Sequence, residues 1–271
     1  MDNTQSVDSI RQILEIFKNT SGEIRPHFFL TGPSGSSKTH NIETLAKEKD
    51  LPLISVNAAN LTKEGLSGNS LSKALTGIFN VQNQPAIVFV DEFDKLFISG
   101  NANCDLAHES TNGVQNEFLK ILDGGNATVF GDYGKYHEVP AENLLFIFAG
   151  AFNGEDNITT DRLAELGVKT EFLGRVSLVY NLKKASLDVM YAILKDMKLL
   201  ENYLRVFPDS PREDALSAIM EKVKEEYASN TVGVRLLIRL VHQYFIEGGF
   251  DKAPAEVVPF NPMAWGNQNG D

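Results

Sequence analysis

A single cysteine, Cys104, among 271 residues excludes an intrachain disulfide framework and suits a reducing compartment. It reads as a small surface or packing residue rather than a nucleophile. The five histidines, His27, His40, His108, His137 and His242, are scattered, with no i, i+4 pairing and no cysteine cluster, so no zinc cage is expected. Basic residues are few. Against 36 Asp and Glu there are 25 Lys and Arg, and the net charge of -11 disfavours general nucleic-acid binding, which draws on many cationic contacts to phosphate. Long hydrophobic runs are missing too: Ala86–Val90 and Leu144–Gly150 fall well short of the roughly 20 residues that span a bilayer, so no membrane partner is expected. The first six residues, Met1 to Ser6, have neither a basic region nor an apolar core, which argues against a secretory signal and for a cytoplasmic address.

What is present is ample apolar material, 42% of the residues, enough for one large and one small domain with real cores. Short apolar runs at Phe28–Leu30, Leu53–Val56, Ala86–Val90, Leu144–Ala149 and Leu178–Tyr180 read as strands. Between them, Thr39–Lys49, Ser70–Phe79 and Val114–Leu122 carry apolar residues at helical spacing. That alternation predicts an α/β fold, a parallel five-stranded sheet flanked by helices. After Leu182 the pattern turns helical: Ser186–Tyr203, Glu213–Tyr227 and Val232–Glu247, with starts at Ser186 and Pro211 and a stop at Gly248-Gly249. The expected domains are therefore residues 1–182, an ATP-binding unit on the reasoning below, and 183–258, a small helical unit. A tail, 259–271, follows. Ala255–Val258 could add a short strand, and the polar end from Gly266 is expected to fray.

The apolar segment Phe28-Phe29-Leu30-Thr31 runs into Gly32-Pro33-Ser34-Gly35-Ser36-Ser37-Lys38-Thr39, after which the helical pattern begins. Strand, glycine-bearing loop, Lys-Thr and helix stand in the order a phosphate cradle requires. Backbone N–H groups would face the phosphates of ATP, Lys38 would reach the terminal ones, and the Thr39 hydroxyl would ligate magnesium. The consensus has glycine immediately before the lysine, where this chain has Ser37. A side chain at a strained backbone position costs about 1 to 3 kcal/mol, against roughly 8 kcal/mol for micromolar nucleotide binding. Binding is thus expected to be weakened, not abolished. The alternative is an ordinary strand-to-helix turn; the strand before the loop and the helix after it favour the phosphate reading.

The strand Ala86–Val90 ends in Asp91 and Glu92. Adjacent carboxylates there can divide two tasks, Asp91 holding the magnesium shell and Glu92 polarising an attacking water. An isolated Asp-Glu would more simply cap a turn; downstream of the phosphate loop it reads as the second half of an ATPase site.

The segment Val88-Phe89-Val90-Asp91-Glu92-Phe93-Asp94-Lys95-Leu96 resembles the Walker B region of AAA+ protein unfoldases of the ClpX and HslU type. Gly113–Gly124 is similar to the helix that follows in ClpX, and Leu144–Phe152 to its fourth strand. The likeness runs from about His27 to Val258, without the N-terminal zinc domain of ClpX. Glu171-Phe172-Leu173-Gly174-Arg175 resembles the segment carrying the arginine finger, which implies that Arg175 reaches ATP on a neighbouring subunit and that the chain forms a homo-oligomeric, hexameric ring. Gly233-Val234-Arg235 is similar to the sensor 2 motif, implying a phosphate contact from Arg235 within its own subunit. For either arginine alone a surface ion pair is the alternative. At the place of the first sensor, Gly150-Ala151-Phe152 has no polar side chain, and Asn153 is the nearest candidate.

By the same resemblance Gly65-Leu66-Ser67-Gly68 takes the place of the first pore loop, with Leu66 standing where an aromatic residue grips an extended polypeptide; the alternative is a loop whose Leu66 packs on its own domain. Ile98–Ser110 fits a second pore loop by position, and Gly131–His137 resembles a substrate-contact loop at the ring mouth. The short connection between Phe152 and Glu171 lacks the Ile-Gly-Phe type tripeptide with which ClpX docks on its peptidase, so that partner is not expected. The apolar cluster Phe260–Trp265 is either a docking peptide or packs back on the small domain. Together these readings describe an ATP hydrolase that remodels or unfolds a protein substrate, directly or through an adaptor. The rivals are a nucleic-acid motor or loader and a slow, nucleotide-dependent assembly scaffold.

Overall fold

The computed structural model describes residues 3–61, 70–81, 84–97 and 105–250, and not the side chains of residues 105–112 and 132. The chain divides into two compact units, Met1–Ala185 with Thr231–Gly233, and Ser186–Asn230 with Val234–Asp271.

The first unit runs α1 (Asn3–Asn19), β1 (Phe28–Thr31), α2 (Lys38–Glu48), β2 (Leu53–Asn57), α3 (Leu71–Ala74), β3 (Ala86–Asp91), α4 (Asp105–Leu122), β4 (Asn126–Phe130), β5 (Tyr136–Pro140), β6 (Leu144–Gly150), α5 (Thr160–Glu165), α6 (Thr170–Arg175) and β7 (Leu178–Asn181). Five strands form one parallel sheet in the order β2-β3-β6-β1-β7, and β4 pairs with β5 as an antiparallel hairpin.

The period of two along the buried strands sorts their side chains onto two faces. Phe28, Leu30, Ile87, Phe89, Leu145 and Ile147 face one way and are covered by Ile10, Leu14 and Phe17 of α1 and Ile42 and Leu45 of α2. Phe29, Val88, Phe146 and Phe148 face the other and meet Phe118 of α4 and Phe172 of α6. There Phe93 packs with its ring centroid 4.7 Å from that of Phe148 and 5.4 Å from that of Phe172. At the base of the sheet the imidazole of His27 accepts a hydrogen bond at Nδ1 from the Phe146 N–H, 3.1 Å away. Burial, reinforced by the charge of Arg25, pushes His27 down to about 4, which keeps it neutral and able to accept.

All five predicted sheet strands are present, each one residue longer at its C-terminal end than the apolar run that marks it. Helices depart further from the sequence reading. The α1 helix has no counterpart in the predicted elements, although its apolar residues Ile10, Ile13, Leu14 and Phe17 keep helical spacing. The expected helix Ser70–Phe79 breaks after Ala74 and continues as a 3-10 turn, Thr76–Val81, because Thr76-Gly77 is a poor helical pair. Asp105–Ser110, expected as part of a pore loop, is already helical and forms the polar start of α4. Gly131–His137 is the tip of the β4–β5 hairpin, its last two residues belonging to β5.

The second unit contains α7 (Leu187–Lys195), α8 (Lys198–Val206), α9 (Arg212–Glu226) and α10 (Arg235–Glu247). The predicted single helix Ser186–Tyr203 is therefore two. Met197, extended at ψ 117, interrupts it, and the Arg212 guanidinium at the start of α9 takes the freed Lys195 carbonyl at 2.6 Å while pairing with Glu201. Ser186 caps α7 through the Val189 N–H, and Gly248, at φ 73, ends α10. Ala255–Val258 and the tail 259–271 lie outside the described residues, as do Cys104 and the loop Gly65–Gly68 with Leu66 and Ser67. Among the described residues no helix is long and apolar enough to cross a membrane.

Candidate functional site

In open parallel sheets, ligands bind beyond the carboxyl ends of the strands. At that end β1 passes into the loop Gly32–Ser37 and then into α2. Gly32 lies at φ 150, and a β-carbon on it would stand 2.3 Å from the Leu182 carbonyl oxygen and 2.9 Å from Ser36 Oγ, so no side chain fits there. Gly35 is left-handed at φ 73. Among the described residues the buried Ser36 hydroxyl has no hydrogen-bond partner. Helix α2 begins at Lys38 without a side-chain cap, which leaves its first N–H groups for an anion.

Lys38 is buried, and its Nζ donates to the Gly32 carbonyl at 2.6 Å and the Pro33 carbonyl at 3.1 Å, folded back over its own loop. Thr39 Oγ1 donates to Asp91 Oδ2 at 2.9 Å, across the end of the intervening β6. The second oxygen, Asp91 Oδ1, accepts the Glu92 N–H at 2.8 Å. Glu92 is exposed and left-handed, φ 55, and is anchored by its buried neighbours Phe93 and Asp94. Asp94 in turn accepts the Phe152 N–H at 3.3 Å, tying the turn after β3 to the turn after β6. The tertiary structure thus joins Lys38, Thr39, Asp91 and Glu92, from segments more than 50 residues apart, into one site.

The residues fit magnesium nucleotide. A hydroxyl and a carboxylate in contact are the hard oxygen donors magnesium takes, and it commonly uses one or two protein oxygens beside phosphate and water. The orphan Ser36 hydroxyl and the uncapped helix start supply donors suited to phosphate.

Ser37 adopts φ 66, ψ 26, the conformation that glycine takes at no steric cost. That cost belongs to the fold itself, so its relief should appear in stability. Replacing Ser37 by glycine removes about 1 to 2 kcal/mol of backbone strain but returns part of it as unfolded-chain entropy. The Ser37→Gly protein is expected to melt about 2 °C higher, with ATP affinity within about twofold of wild type. A large affinity gain in a nucleotide titration would instead place the Ser37 side chain in the path of the phosphates.

Arg175, the last residue of α6, is about one-third exposed. Its Nε and Nη2 engage both oxygens of Asp123, the latter at 2.9 Å, and Nη1 donates to the Glu171 carbonyl at 2.7 Å. The hydrogen bond holds the Asp123 carboxyl below its usual range and raises Arg175. Asn153 is exposed and left-handed at φ 61 in the turn after β6. Arg235 opens α10 in the second unit and is exposed.

Two supports escaped the sequence reading. Asn181, at the end of β7, accepts from Thr31 Oγ1 and the Ile158 N–H, both at 2.7 Å, and so steadies the strand end from which the loop springs. Asp123 lies in the stretch likened to the ClpX helix, but nothing in its spacing from Arg175 reveals their pairing.

A parallel sheet of this order with such a loop after β1 defines a P-loop nucleoside triphosphatase. Residues 25–179, over half of the chain, match the family model of the AAA domain (Cdc48 subfamily), and the chain belongs to that family. Membership brings nucleotide binding with magnesium, ATP hydrolysis and ATP-driven remodelling as its general activity, and its members typically assemble as oligomeric rings.

Proposed function

We propose that this chain is a ring-forming AAA+ ATPase of the ClpX and HslU type that uses ATP hydrolysis to remodel or unfold a protein partner. The observation that carries the reading is the 2.9 Å contact of Thr39 with Asp91, which joins the phosphate loop to the acidic strand end. In the working site Lys38 exchanges its loop carbonyls for the terminal phosphates, while the backbone of residues 32–37 and the start of α2 orient the chain of phosphates. Thr39 and Asp91 would hold magnesium, which when bound neutralises phosphate charge. Glu92 orients and polarises the attacking water. Arg175 acts on ATP held by the neighbouring subunit, supplying positive charge as it develops on the transferred phosphoryl group. Arg235 reads the nucleotide of its own subunit and couples it to the second unit. Leu66, between Gly65 and Gly68, contacts the polypeptide. The hexameric ring, the two-domain division and the absence of the ClpX peptidase from its partners belong to the same reading.

The test is an ATPase assay run in parallel with mass measurement, with and without magnesium ATP. A nucleotide-dependent hexamer whose turnover rises with an unfolded polypeptide and ignores DNA is expected. Salt-sensitive stimulation by DNA would make it a nucleic-acid motor, and assembly without turnover a scaffold.

A further inference from the structure

We infer that Asp123 is a positioning residue for hydrolysis, holding the Arg175 guanidinium side-on so that its end-on pair of N–H groups is presented to a phosphate. The inference rests on the trans role proposed for Arg175.

Both partners stand on fixed backbone. Asp123 directly follows the last residue of α4, its N–H bonded to the Leu119 carbonyl at 3.1 Å, and the left-handed Gly124 comes next. Arg175 closes α6 between the buried Phe172 and Val176. A guanidinium has five N–H groups. The Nε and Nη2 fork goes to the two oxygens of Asp123, and one Nη1 proton goes to the Glu171 carbonyl. Among the described residues that leaves one N–H on each Nη to donate, and a guanidinium can offer such a pair to two phosphate oxygens.

Asp123 sits just beyond the C-terminal end of the 18-residue α4, where the helix dipole disfavours negative charge. What the pair does supply is orientation. Arginine has a long, rotamer-rich side chain, and a side-on carboxylate together with the Glu171 carbonyl removes most of its freedom before a neighbour's nucleotide arrives.

The test uses the full chain, assembled, at saturating magnesium ATP, with nucleotide affinity titrated separately. The isosteric Asp123→Asn should lower kcat about tenfold, in line with a misplaced catalytic group, and leave KM within about twofold. Asp123→Glu should recover at least about half of the lost rate, since it restores the carboxylate fork. Arg175→Ala should lose about 10³-fold, and adding Asp123→Asn to it should cost nothing more. If Asp123→Asn shifts only the melting temperature and keeps kcat, or if the two losses add, Asp123 is a structural partner and the inference fails. If Arg175→Ala leaves hydrolysis unchanged, the trans role of the arginine fails, and this inference with it.

Discussion

The Glu92→Gln protein is expected to bind ATP with wild-type affinity and to lose at least about 10²-fold in hydrolysis. Glu92 contributes no side-chain hydrogen bond to the phosphate loop: its backbone N–H goes to Asp91, and its own cap position makes no side-chain bond. Removing its charge therefore leaves the cradle and the Thr39–Asp91 contact as they are. Only the polarisation of water is lost. Because hydrolysis no longer ends the bound state, the same protein should trap the nucleotide-dependent oligomer, visible as a persistent high-mass species with ATP. The measurement is single-turnover hydrolysis beside a nucleotide titration. Unchanged hydrolysis would remove Glu92 from the chemistry, and a parallel fall in affinity would make it a structural residue.

Lys38→Ala is expected to fail one step earlier. A charge-assisted contact to the terminal phosphates is worth about 3 kcal/mol, or roughly 100-fold in affinity. A second effect follows from the contacts Lys38 makes within its own loop. Lys38 Nζ satisfies the Gly32 and Pro33 carbonyls, the first of them in a buried bond, and alanine leaves that carbonyl without its ammonium donor. The nucleotide-free variant should accordingly be less stable by about 1 to 3 kcal/mol, and ATP should no longer raise its melting temperature. Thermal melts with and without magnesium ATP separate the two effects. A variant that melts lower but still gains stability from ATP would show that Lys38 serves the loop and not the phosphate.

The two substitutions bracket the site: one keeps binding and loses turnover, the other loses binding. They also bear on Ser37. Its left-handed backbone is part of the folded loop both variants share, so its strain is common to them and to the wild type.

Much of this was legible in the sequence because the buried parallel strands are continuous apolar runs, and such runs mark themselves. Phe28–Thr31 and Ala86–Asp91 are two of them, and each ends on chemistry: Gly32 begins the loop after the first, Asp91 closes the second. Helix α1 was less legible because its apolar positions are interspersed with Asp8, Arg11 and Glu15, which on the exposed side pair with each other, with Glu48 of α2 or with Lys49 just after it. The break at Met197 is set by Arg212, a residue 15 positions away that no local pattern points to. In the hairpin β4–β5 only the short β4 alternates, and β5 exposes Tyr136, His137 and Glu138, so the pair carries no sustained strand pattern.

By itself, the sequence determined the five strands of the main sheet, the phosphate loop and the acidic strand end, since these follow from continuous apolar runs and from residue types in fixed spacing. Only the tertiary structure decided that Thr39 meets Asp91, that Asn181 steadies Thr31, that Ser37 stands at positive φ and that Arg175 is gripped by Asp123. Those are contacts between segments distant in the chain, or backbone states imposed by packing, and no local rule encodes them. They arise where the sheet order lays β6 between β1 and β3 and brings the ends of separate strands to one edge.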